Sequence, residues 1–83
     1  MKDQENISQI DQYVIDFVRR LRTEHNLLQD DIAAILGTTK SFISNAESNN
    51  HRAKYNLRHI DMLANHFDIS PQEFLPKKSS LAK

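Results

Sequence analysis

Apolar residues recur at helical spacing along most of the chain, and the breaks between runs divide it into five elements. Ile7, Ile10, Val14, Phe17, Val18 and Leu21 predict a helix over about residues 7–25, with Asn6 and Gln9 as a capping box and Asn26 as its left-handed stop. Ile32, Ala33 and Leu36 mark a second helix over 29–36, and Ile43 and Ala46 a third over about 40–48. Between them stands Gly37, the single glycine of 83 residues, which tolerates φ > 0. Thr38 and Thr39 follow it with hydroxyls, one of which can cap the third helix. Residues 48–55 lack periodicity and predict a loop. Asn56 then opens a fourth helix with Leu57, Ile60, Leu63, Ala64 and Phe67 as its apolar set. Ser70-Pro71-Gln72-Glu73 combines a Ser cap, Pro at the first helical position and Glu three after the cap. It predicts a short fifth helix over 71–75, with Phe74 and Leu75 on the core and Pro76 as its end. No window alternates as a strand would, so the expected fold class is all-α.

A helix, a tight glycine turn and a second short helix with an outward polar side is the pattern of a helix-turn-helix, which lays its second helix in the DNA major groove. On a helical wheel of residues 40–48, Ile43, Ala46 and Glu47 share the inner side, and Lys40, Ser41, Ser44 and Asn45 the outer one.

Composition sets bounds on this reading. A length of 83 residues suits one small domain with a single core. The expected organisation is a disordered N-terminus over 1–6, a helix-turn-helix domain over 7–76, and a disordered basic tail over 77–83. The chain has no cysteine, which excludes disulfides and thiolate metal sites and suits a cytoplasmic setting. No apolar run approaches a signal peptide or a membrane span, so no membrane partner is expected. Net charge is zero, yet its distribution is uneven. Residues 1–18 carry one Lys against four acids. Residues 40–59 carry Lys40, Arg52, Lys54 and Arg58 against Glu47 alone. Positive charge thus clusters on and just after the third helix, where a phosphate backbone needs it. Thr39, Arg52, Lys54 and Arg58 are therefore the phosphate candidates, with the helix-terminal N–H groups near Gln29 and Leu57 beside them.

Five helices in this order, with the second and third flanking a glycine turn, resemble the phage-repressor and Cro-like (XRE) family, the lambda-repressor-like fold. The resemblance runs from about Phe17 to Leu75. It rests on Gln29 opening the second helix, Ala33 at the helix crossing, Gly37 in the turn, Ser41, Ile43 and Ser44 in the third helix, Glu47 at its end, and Leu63-Ala64-x-x-Phe67. Where the family has glycine, this chain has Asn26, Asn49 and Asp68, the residue types best able to replace it at φ > 0. Leu28 stands where the family favours a Thr or Ser cap, and the loop after Glu47 is about two residues longer. The resemblance implies that Lys40, Ser41 and Asn45 read base edges, with Gln29 assisting and Ser44 at their margin. It also implies a charge pair, Arg22 with Glu47, tying the first helix to the third. Lys suits guanine O6/N7, Asn and Gln suit adenine, and Ser suits either.

The expected function is sequence-specific binding of double-stranded DNA as a transcriptional regulator, a repressor before an activator, by a homodimer on half-sites one helical turn apart. Its setting is a phage or plasmid repressor, a restriction-modification controller or an antitoxin. Ile7 and Ile10, or the end of the fourth helix, are the candidate dimer surfaces. The alternative is a protein-interaction module that keeps the fold and binds a toxin or another regulator; for it the polar side of the third helix is merely solvated. Phe42 has three readings: packing, thymine-methyl contact, or a protein interface. The histidines at 25, 51, 59 and 66 lack metal-ligand spacing and are read as surface or capping residues. Asp30-Asp31 sits where acids favour a helix dipole, and Ser41 and Ser44 lack a His–acid arrangement. No enzyme, metal or cofactor is expected.

Overall fold

The computed structural model describes residues 7–48, 53–79 and 81. Among these it holds four α-helices, α1 (Gln9–Glu24), α2 (Gln29–Leu36), α3 (Lys40–Glu47) and α4 (Leu57–Phe67), and one 3-10 turn, Pro71–Phe74. The fifth element is thus not an α-helix. Pro71 starts it and the Ser70 hydroxyl accepts from the Gln72 N–H, but the backbone is extended again at Leu75, leaving one tight turn. That turn suffices to bury Phe74 completely, edge-on to Phe17 at 4.7 Å.

α1 starts later than the apolar pattern suggests. Ser8 caps it: its hydroxyl accepts from the Asp11 N–H at 3.2 Å and donates to the Asp11 carboxylate at 2.7 Å. A hydroxyl cap three residues before an acid satisfies the first free amides better than Ile7 can. Asn6, the cap expected from the sequence, lies outside the described residues. Burial on α1 also shifts by part of a turn. Val14, Ile15, Val18 and Leu21 are buried, whereas Ile10 is exposed and Ile7 only half-buried. Ile15, absent from the expected set, is on the core.

Three helices end in the same way. Asn26, Gly37 and Asp68 have φ of 58°, 67° and 57°. After each, an amide reaches back across the last turn: Leu27 to Arg22 at 2.9 Å, Thr38 to Ala33 at 2.9 Å and Ile69 to Ala64 at 3.0 Å. These closures satisfy the last helical carbonyls and turn the chain sharply. Asn and Asp accept the left-handed conformation at a cost that other side chains with a Cβ exceed. Asn49, the third expected replacement for glycine, lies outside the described residues.

The core is one cluster. Ile32, Ala33 and Leu36 of α2 and Ile43 and Ala46 of α3 pack with Ile60, Leu63 and Ala64 of α4, with the α1 residues on one side and Phe74 closing it. Two surprises lie around α4. Leu57, placed on its apolar face by periodicity, is 76% exposed because it sits in the first turn before the helix meets the core. Tyr55, in the unpatterned loop, is buried, and among the described residues its hydroxyl has no hydrogen-bond partner. Burial pushes that hydroxyl's pKa well above its ordinary value.

Candidate nucleic-acid interface

Gly37 fixes the geometry of the α2–α3 unit. Its left-handed conformation lets α3 begin three residues later, capped by Thr39, whose Oγ1 accepts from the Phe42 N–H at 3.1 Å. α3 then separates its side chains by chemistry. Ile43, Ala46 and Glu47 are buried; Lys40, Ser41 and Ser44 are exposed and Asn45 half-buried.

Glu47 is held by a converging set of donors. Arg22 Nε and Nη2 donate to its two carboxylate oxygens, both at 2.9 Å, and Gln29 Nε2 donates to Oε1 at 3.0 Å. Arg19 lies 3.7 Å from the same oxygen and also donates to the Glu47 backbone carbonyl, closing the end of α3. Burial is the strongest single influence on this carboxyl and opposes its charge. The hydrogen bonds from Arg22 and Gln29, with the charges of Arg22 and Arg19, together outweigh it, and Glu47 stands below its ordinary pKa. Arg22 is correspondingly raised, first by its hydrogen bond to Glu47. It spends a third donor on the Leu27 carbonyl at 3.0 Å. One carboxylate therefore joins α1, α2 and α3.

The network also shows what Gln29 does in the free protein. Its amide N–H serves the Glu47 brace, unlike Lys40, Ser41 and Ser44, which have no partner among the described residues. Gln29 and Lys40 nonetheless line one shallow cleft with Leu28, Asp30 and Arg22, so the starts of α2 and α3 form a single surface. Asp30 is the acid on that rim. Leu28 cannot cap α2; Asp31 does half of the work, accepting from the Leu28 N–H at 2.7 Å.

Of the phosphate candidates, Thr39 caps α3 beside this surface, and the described others lie at and before the start of α4. Arg58 is exposed in the first turn of α4. Lys54 lies 3.8 Å from Asp11 and is about half exposed, a weak pair that a phosphate could replace. Arg52, with His51, lies outside the described residues. Phe42 points away from the polar side: its ring packs 5.9 Å from Tyr55 and 5.4 Å from His59, tying α3 to the start of α4.

Arg19 escaped the sequence reading, whereas His59 fills the capping role that was one of the two expected of it. Arg19 was visible only as part of the basic run Arg19-Arg20-x-Arg22, and nothing in that run marks a helix-closing residue. His59 forms a reciprocal cap with Asn56, whose Oδ1 accepts from the His59 N–H at 2.8 Å while His59 Nδ1 accepts from the Asn56 N–H at 3.2 Å. A His three residues after an Asn cap was the available signal. Its ring must be neutral at Nδ1, and burial, then the Arg58 charge, holds its pKa below the ordinary value. Among the described residues no group of three His, Asp or Glu side chains could hold a metal ion, and no helix is long and apolar enough to cross a membrane.

Comparison with known proteins agrees with this geometry. A crystal structure of a transcriptional regulator from Listeria innocua superposes with a TM-score of 0.67 at 21% identity, covering 84% of this chain and 64% of that one, which shows a shared fold. The chain thus spans somewhat under two thirds of that protein's length. No curated protein matches. A family model described as helix-turn-helix matches residues 18–74, from the middle of α1 through the 3-10 turn. That span contains the glycine turn, the Glu47 brace and the outward side of α3, and the chain belongs to the helix-turn-helix family of the Cro and lambda-repressor (XRE) type.

Proposed function

We propose that this protein is a transcriptional regulator, acting as a repressor, that binds double-stranded DNA at preferred sequences with α3 in the major groove. The observation that carries this reading is the division within α3. One side is locked to α1 and α2 through Glu47, and the other presents Lys40, Ser41 and Ser44 free to solvent, with Asn45 at their edge. A reading helix needs both, because base-edge hydrogen bonds discriminate only when their donors are held in register. In this reading Lys40, Ser41 and Asn45 contact bases and Ser44 lies at the margin. Gln29 assists by releasing Glu47 or by offering its Oε1. Thr39, Lys54, Arg58 and Arg52 meet phosphates. Two copies act together on half-sites about one turn apart, since one short helix spans few base pairs. The Listeria protein's description as a transcriptional regulator is in keeping with it.

A second reading, a module binding a protein partner, is favoured by the apolar side chains exposed away from α3. Salt separates the two. A DNA binder should lose affinity for duplex steeply with salt, log K falling by about 0.9 per decade for each phosphate contacted. Absence of duplex binding at low salt would exclude the first reading.

A further inference from the structure

One apolar side chain interrupts the polar face that α2 and α3 turn to solvent. Leu28, at the entry to α2, is 68% exposed and lines the same shallow cleft as Gln29, Asp30 and Lys40. The other large apolar side chains that stand open are Ile10, Tyr13, Leu57 and Leu81, and none of them lines this cleft. A lone exposed leucine is ordinary on a protein surface. Leu28 is set apart by how firmly its backbone is held and by what its side chain lacks. Its N–H donates to the Asp31 carboxylate at 2.7 Å, and its carbonyl accepts from the Asp31 and Ile32 amides at 3.0 and 3.4 Å. The carbonyl just before it, of Leu27, accepts from Arg22 at 3.0 Å. Arg22 is in turn bound to Glu47, so the network that fixes α3 also fixes the place of Leu28. A Thr or Ser at this position would cap α2 and keep a hydroxyl that a phosphate could use. Leu28 has no donor left: its amide is spent on Asp31 and its side chain is hydrocarbon.

We propose that Leu28 is a specificity-determining residue that packs against the C5-methyl group of a thymine, beside the base pair that Lys40 contacts. The proposal rests on the DNA-binding reading above and adds to it a reader that makes no hydrogen bond. Base pairs show hydrogen-bond donors and acceptors in the major groove, and the apolar group among them is the thymine methyl. Covering that methyl with a leucine removes apolar surface of both partners from water. Phe42, one candidate for such a contact, has its ring engaged with Tyr55 and His59. Among the described residues of α2, α3 and their caps, Leu28 is the large apolar side chain left exposed. It is also rigidly placed, which a contact worth a single methyl requires if it is to discriminate between bases.

Duplexes recovered by the full chain from a random pool are the probe. Each is remade with deoxyuridine replacing one thymine at a time, which deletes a methyl and leaves every hydrogen-bonding group in place. At a thymine beside the position whose preference Lys40→Ala removes, the deletion should weaken binding about four-fold. Leu28→Ala should bind the thymine and deoxyuridine duplexes alike, with a nearly unchanged melting curve because the side chain is exposed. Leu28→Met should keep the difference. A Leu28→Ala chain that loses affinity for both duplexes equally, with the methyl effect intact, places the side chain on the sugar–phosphate edge and overturns the proposal. So does a wild-type chain indifferent to every methyl, or a recovered motif with no thymine beside the Lys40 position. A wild-type chain that retains no duplex at all is a separate result, which removes the DNA-binding reading and the part of Leu28 with it.

Discussion

At one end of this molecule α2 and α3 turn a polar face to solvent over a buried charge network. At the other, the starts of α1 and α4 leave Ile10, Tyr13 and Leu57 uncovered. The two ends are built differently because their surfaces need different things. An apolar patch gains free energy from being covered, largely irrespective of fine alignment. A face of hydrogen-bonding side chains gains nothing over water unless its groups are held where partners will stand. Glu47, with three hydrogen bonds to its carboxylate and Arg19 closing its helix, supplies that hold at the first end. Among the described residues no buried charge braces the second.

The largest test of this contrast is removal of the brace. Glu47→Ala leaves Arg22, whose side chain is only 16% exposed, without its partner. Losing one member of a buried pair costs about 3–5 kcal/mol, enough to unfold much of a domain this small, and chemical denaturation would report it. A loss below about 1 kcal/mol would mean that the network is ordinary surface pairing. Next come the free side chains. Lys40→Ala and Asn45→Ala should each cost about 1–3 kcal/mol of discrimination between base pairs while leaving the melting temperature nearly unchanged. Uniform weakening across all duplexes would move these two from base readers to phosphate contacts.

Smaller effects sharpen the picture. A Cβ added at Gly37 meets no atom within 4 Å, so Gly37→Ala tests backbone conformation alone. Its φ of 67° should make that change cost about 1 kcal/mol, and Gly37→Asn less. The smallest effect concerns pH. His59 has a folded pKa below its ordinary 6.5, so its neutral cap contributes stability above about pH 6.5 that is lost as pH falls through the folded value. Glu47 is depressed below 4.5, so its contribution is present above that pH and lost as acid protonates it in the fold. Thermal melts should therefore decline gently below pH 6.5 and further below 4.5, and His59→Gln should abolish the first decline alone.

Much of this architecture was legible from the residues, and the exceptions share a cause. α2, the Gly37 turn, the start of α4 and the left-handed ends at Asn26 and Asp68 depend on local chemistry, which a sequence displays directly. The fifth helix shrank to a 3-10 turn, and Ile15 and Tyr55 proved buried, because tertiary packing decided them. Leu57 failed in the opposite direction: periodicity put it inside, but in the first turn of α4 it is left exposed among the described residues. At the candidate interface, the outward set on α3 followed from a helical wheel and the Arg22 partner of Glu47 from resemblance. The engagement of Gln29 with Glu47, and the aromatic seat of Phe42, depend on where side chains from α2, α4 and the loop converge, which no spacing records.

The central claim, that the outward side of α3 reads DNA, is tested most directly by selecting bound sequences from random duplex DNA with the full chain at low salt. The account predicts enrichment of a motif with two related half-sites about ten base pairs apart, and loss of preference at defined positions with Lys40→Ala. Recovery of unenriched sequence, with no measurable retention of any duplex, would contradict it.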